Sequence, residues 1–213
     1  MKMDDSLAYF QDLIIEMYRK VRAMHVIALE IIKSGDKEKA LQLIKMDDFV
    51  NHYEEEINDQ AQEVLALLSP VATDLRKVIA GIKIASDLER IGDYAKNIAE
   101  YIIKNGPLDQ EFIVQQADQI GSAFIEMLDQ TMEAYANGDV KKAYAIPQQD
   151  EQINEMFARL SQQIDDRIHA GENLGAVVPL VGMLRNFERA GDHTKNLCEH
   201  LIYQVKGQHI DFG

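Results

Sequence analysis

Oxygen-bearing side chains recur at helical spacing in this chain, and they do so twice. Glu89, Asp93 and Asn97 are spaced i, i+4, i+8, and Glu188, Asp192 and Asn196 repeat them at an offset of 99. Neighbours four apart share a helix face, so each trio reads as a ladder of oxygen donors. Asp47 and Asn51 form a second i, i+4 pair, echoed by Asp150 and Asn154 at an offset of 103. Like charges so placed destabilise a helix by about 0.2–0.5 kcal/mol per pair. Their retention in both copies asks for a compensating cation. Carboxylate and amide oxygens suit Mg, Ca, Mn or iron, whereas zinc more typically shows Cys or His at finger spacing, which is absent. A second reading uses the same residues: solvated faces on which Arg90, Lys96, Arg189 and Lys195 form ordinary ion pairs, contributing about 0–1 kcal/mol each.

The ladders belong to a longer internal repeat. Asp87-LERIGDYAKNIAE lies over Asn186-FERAGDHTKNLCE with seven of fourteen positions identical, where ordinary composition gives about one. Gly35-Asp36 likewise matches Gly138-Asp139, and Ala40 matches Ala143. The chain therefore reads as two copies of one unit, 1–106 and 107–213. Gly92 and Gly191 are retained inside the motif. A mid-helix glycine costs about 1 kcal/mol against alanine, so both mark close approach of a neighbour or ligand. His193 stands where the first copy has Tyr94 and reads as a helix-face residue; Cys198 stands where it has Ala99 and reads as a small buried one.

The elements that position these residues are helices. The 4 Pro and 12 Gly of the chain are concentrated at a few breaks, leaving six helical stretches of roughly 27 to 32 residues, each about 45 Å long. Asp36 and Asp139 follow a glycine and read as N-caps; Thr73 or Asp74 reads as the cap after Ser69-Pro70. Leu13, Met17, Val21, Met24 and Ala28 step by three or four, a core-facing stripe. Long helices on short connections predict an all-α fold of two tandem three-helix bundles with antiparallel packing.

Charge and motif content narrow the function. With 22 basic against 36 acidic residues the net charge is −14, which argues against nucleic-acid binding, since that needs clustered basic charge. One cysteine fits a reducing, cytoplasmic setting, and no run of 18 apolar residues is present to form a transmembrane segment. Phosphate-cradling loops, a serine elbow and a catalytic cysteine context are absent, and Asp166-Arg-Ile-His169 comes nearest to a di-iron Glu-x-x-His. Nothing in the sequence needs catalysis to explain it.

With its duplicated helical units and the motif at Asp87 echoed at Asn186, the chain resembles the PhoU family, accessory and regulatory proteins of bacterial phosphate-specific transport. The resemblance spans nearly the whole sequence. It implies two three-helix bundles, usually in a homodimer, and no enzymatic activity. It also implies multinuclear metal sites at Glu-x-x-x-Asp, here Glu89 with Asp93 and Glu188 with Asp192, faced by Asp47 and Asp150. The ions it implies are divalent or iron-type, Fe, Zn, Mg or Mn. The expected role is negative regulation of phosphate uptake and phosphate-starvation signalling, through the ATPase subunit of the phosphate ABC transporter and a sensor histidine kinase. Replacement of Asp87 by Asn186 and of Tyr94 by His193 leaves the second site one acid poorer.

Overall fold

A computed structural model of the protein describes residues 2–213. Its helices are α1 (Met3–Ser34), α2 (Lys37–Glu63), α3 (Ala72–Asn105), α4 (Glu111–Asn137), α5 (Val140–Ala145), α6 (Gln148–His169) and α7 (Val177–Lys206). A π-helical turn, Val64–Leu68, extends α2. No strand occurs among the described residues, and no helix there is long and apolar enough to cross a membrane.

Local chemistry sets most of the breaks. Gly35 and Gly138 take the left-handed conformation at φ 64 after α1 and α4, which glycine adopts without steric cost. Asp36 then caps α2 by accepting from the Lys39 amide at 3.0 Å, and Asp139 repeats the bond with Lys142. The expected cap at Thr73 or Asp74 is not formed. Val71 is the extended residue before α3, while Thr73 Oγ1 accepts from Arg76 and Asp74 from Lys77. Ser69 and Ala72 carry the turn at φ 48 in its place. The fifth helical stretch is also not continuous. Pro147 has no amide to donate and its ring crowds the preceding turn, so α5 stops at Ala145 and α6 restarts at Gln148. Asp150 consequently lies in the first turn of α6, where free amides favour a carboxylate.

One continuous apolar core runs through both halves. Met17, Val21, Met24 and Ala28 are wholly buried on α1, as the stripe predicts. Helices α1, α2 and α3 pack on one another in the first half, and α4, α6 and α7 in the second. The halves join along two antiparallel seams. Tyr18 and Arg22 of α1 both bond Asp129 of α4, and Lys33 pairs with Asp118. On the other seam Asn97 of α3 donates to Asn186 of α7, and Asn196 of α7 donates to Asp87 of α3. Those two bonds exchange equivalent positions of the repeat, and Tyr94 packs against its own counterpart His193 with ring centroids 5.6 Å apart. A pseudo-twofold axis therefore passes between α3 and α7.

Candidate functional site

The repeated polar residues separate into three groups. The first is a lock between the second and third helix of each half. Asp47 of α2 accepts on Oδ2 from Lys96 Nζ at 2.6 Å and from Asn51 at 3.4 Å. Asp150 of α6 does the same with Lys195 at 3.0 Å and Asn154 at 3.1 Å. Asp47 and Asp150 are 2% and 1% exposed, and Oδ1 of each is buried with no partner. Gly191 makes room in the second copy, for a β-carbon there would stand 2.5 Å from Asp150 Oδ1. A β-carbon at Gly92 would instead meet Val50 and Val21 at ordinary distances.

The second group lies on the seam and corrects the ladder reading. Asn97 and Asn196 bond across to α7 and α3, away from the acidic faces. Eight residues turn an α-helix by about 80° beyond two full rounds, enough to carry the third rung toward a different neighbour. Asp87 accepts there from His193 Nδ1 at 2.7 Å, His200 Nε2 at 2.8 Å and Asn196 at 3.1 Å. Burial pushes the Asp87 carboxyl up, but the three donors together outweigh it and hold the group at about 2. His193 is thus a seam residue bound to Asp87, more than an exposed face residue. Cys198 is fully buried, and burial pushes its thiol up to about 12, so it is unreactive.

The third group is what remains: Glu89 and Asp93 on α3, and Glu188 and Asp192 on α7. In the first half Glu54 of α2 joins them. Glu89 is pushed up to about 7, first by burial and then by the charges of Asp93 and Glu54. Glu54 is also raised, chiefly by burial. Among the described residues the only basic partner of Glu89 and Asp93 is Arg90, at 3.8 and 3.6 Å, and its side chain is 62% exposed. The repeat gave no hint of Glu54, because Phe157 occupies its place in the second copy. One turn beyond Asn51 on the same helix was the available signal.

The second half is built otherwise. Glu188 pairs with Arg185 at 3.5 Å, where the first half has Ser86. Asp192 pairs with Lys195 at 3.2 Å, so that this lysine serves two carboxylates. Burial lifts the Asp150 carboxyl, while the two carboxylate bonds outweigh burial at Lys195 and hold its ammonium charged.

Among the described residues no group of three His, Cys, Asp or Glu side chains is arranged to hold a metal ion. As a donor set, the first half nevertheless fits one. Glu89, Asp93, Glu54 and Asp47 are hard oxygen ligands, Glu89 is held back from ionising by burial and then by the charges of Asp93 and Glu54, and Asp47 Oδ1 is buried without a partner. The second half offers a poorer donor set, with Phe157 where the first has Glu54 and Lys195 seated on both Asp150 and Asp192.

Comparison with known proteins agrees with this architecture. The PhoU domain family matches residues 14–102 and 118–201, one match in each half. A Thermotoga maritima relative, the phosphate-specific transport system accessory protein PhoU homolog 1, is 31% identical over 86% of this chain and 80% of its own. The crystal structure of the phosphate transport system regulatory protein PhoU from Streptococcus pneumoniae superposes with a TM-score of 0.91, 29% identity and coverage of 99% of this chain and 100% of that one. PhoU from Pseudomonas aeruginosa gives 0.87 at 27% identity, covering 97% and 100%. With both halves matched and the whole fold shared, the chain belongs to the PhoU family of regulatory accessory proteins and is not an enzyme.

Proposed function

We propose that this protein is a cytoplasmic negative regulator of phosphate uptake and of phosphate-starvation signalling. It acts by docking, as a homodimer, on the ATPase subunit of the phosphate ABC transporter and on a sensor histidine kinase where one is present. The observation that carries the reading is full-length similarity to a phosphate transport regulatory protein, with both PhoU halves intact. The acidic surface supports a protein partner over nucleic acid, because a net charge of −14 repels a phosphate backbone.

Glu89, Asp93, Glu54 and Asp47, with Asn51 beside them, would hold a divalent or iron-type cation. Such an ion would supply the positive charge that lets these carboxylates ionise together. A docking adaptor that needs no cation is the second reading, favoured by the lysines already seated on Asp47 and Asp150.

Affinity capture of the tagged chain from cells grown in high and low phosphate tests the docking role. Recovery of the transporter ATPase subunit or the sensor kinase is expected. Recovery of neither in either medium would refute it.

A further inference from the structure

We infer that the two acidic faces have parted in function: the second half carries its own cation, the Lys195 ammonium, and the protein binds metal in the first half alone. This rests on the cation reading given above and adds how many sites there are and what closes the other.

The inference is carried by the surroundings of one nitrogen. Lys195 Nζ stands 3.0 Å from Asp150 Oδ2, 3.2 Å from Asp192 Oδ1 and 2.6 Å from the Gly213 backbone oxygen. One N–H bonds the Gly213 oxygen, and the two carboxylates flank the same ammonium charge. Its side chain is 13% exposed. Lys96, the counterpart, donates to the single acceptor Asp47 and is 31% exposed, leaving two donors for water. An incoming ion must expel Lys195 from among three oxygens, but Lys96 from one.

Four further differences act in the same direction. Segment 207–213 folds back over α7, where the Phe212 amide donates to Glu199 at 2.8 Å and the Phe212 ring meets Tyr144 edge-on. That strap brings the Gly213 oxygen to Lys195. Phe157 removes the carboxylate that Glu54 supplies to the first face, and Arg185 replaces Ser86 with a fixed positive charge beside Glu188. Asp150 Oδ1, although unpartnered, is wedged against Gly191, where a β-carbon would have no room. An oxygen so placed faces the α7 backbone rather than a ligand.

Mn(II) binding to the full chain, counted by electron paramagnetic resonance and by native mass spectrometry, tests this. The wild type is expected to bind at a single class of site. Asp93→Asn should weaken that binding at least tenfold. Asp192→Asn, at a half-exposed position, should leave both the count and the affinity within twofold of wild type. Lys195→Met, checked for helix content, should add a second class of site. Two equivalent classes in the wild type, or loss of binding in Asp192→Asn, would overturn the inference and spare the cation reading. No binding by the wild type at millimolar Mn(II) would overturn the cation reading itself.

Discussion

At Gly191 a single methyl group would collide with the lock between α6 and α7. A β-carbon there meets Asp150 Oδ1 at 2.5 Å, and that oxygen is buried with nowhere to retreat. Gly191→Ala should therefore cost about 2–4 kcal/mol, through forced displacement of a buried carboxylate. Gly92→Ala meets Val50 no closer than 3.4 Å, so it should be neutral or stabilising by up to about 1 kcal/mol from helix propensity. Urea unfolding of the two variants checks this, and equal effects would show the lock to be unimportant. The sequence marks both glycines as close approaches, but only Gly191 is one: a β-carbon at Gly92 would sit at ordinary contact distance from valines. A buried histidine supplies a second test at this scale. His25 donates from Nε2 to the Ile91 carbonyl at 2.7 Å, its Nδ1 has no partner, and burial lowers it to about 4. The unfolded chain takes up that proton near 6.5 and the folded chain only near 4. Stability contributed by neutral His25 is therefore full above about pH 6.5 and is lost as pH falls through that window, by about 3 kcal/mol. His25→Gln should flatten stability between pH 6.5 and 4 relative to wild type, as followed by thermal melts; an unchanged slope would contradict the assignment.

Between elements, the seam of α3 with α7 is where sequence reasoning reached least far. Spacing alone puts Asn97 in line with Glu89, whereas the helix has two partners to serve, α2 on one side and α7 on the other. A residue on α3 is read correctly only once both neighbours are known. The retained Asn97 and Asn196 turn out to hold the halves together, while Asp47 and Asp150 face the third helices, with Asn51 and Asn154 bonding to them from the next turn of their own helices. Pro147 breaks a stretch that the glycine punctuation predicts as continuous, and it has no echo in the first copy. The seam makes an asymmetric prediction. Asp87→Ala strands three donors from α7, those of His193, Asn196 and His200, and should cost about 2–3 kcal/mol. Asn186→Ala, the pseudo-symmetric change, strands Asn97 alone and should cost about 1 kcal/mol. Equal losses in guanidinium unfolding would show that the Asp87 cluster adds nothing beyond the shared contact.

For the whole molecule, duplication explains both what was legible and what diverged. Two copies of one unit must meet across a pseudo-twofold axis, so Tyr94 and His193, equivalent in the repeat, end up against each other. All-α architecture, tandem organisation and the acidic faces follow from patterns that every copy must keep. The differences between the faces depend on unmatched residues, Glu54 against Phe157 and Ser86 against Arg185, whose partners come from other helices. The proposed role requires this fold to restrain phosphate entry. Its most direct test is the initial rate of radiolabelled phosphate uptake in phosphate-replete cells that possess or lack this chain. Loss of the chain should raise uptake severalfold, and resupply of the wild type should return it to the starting rate. Identical uptake with and without the chain would contradict the account.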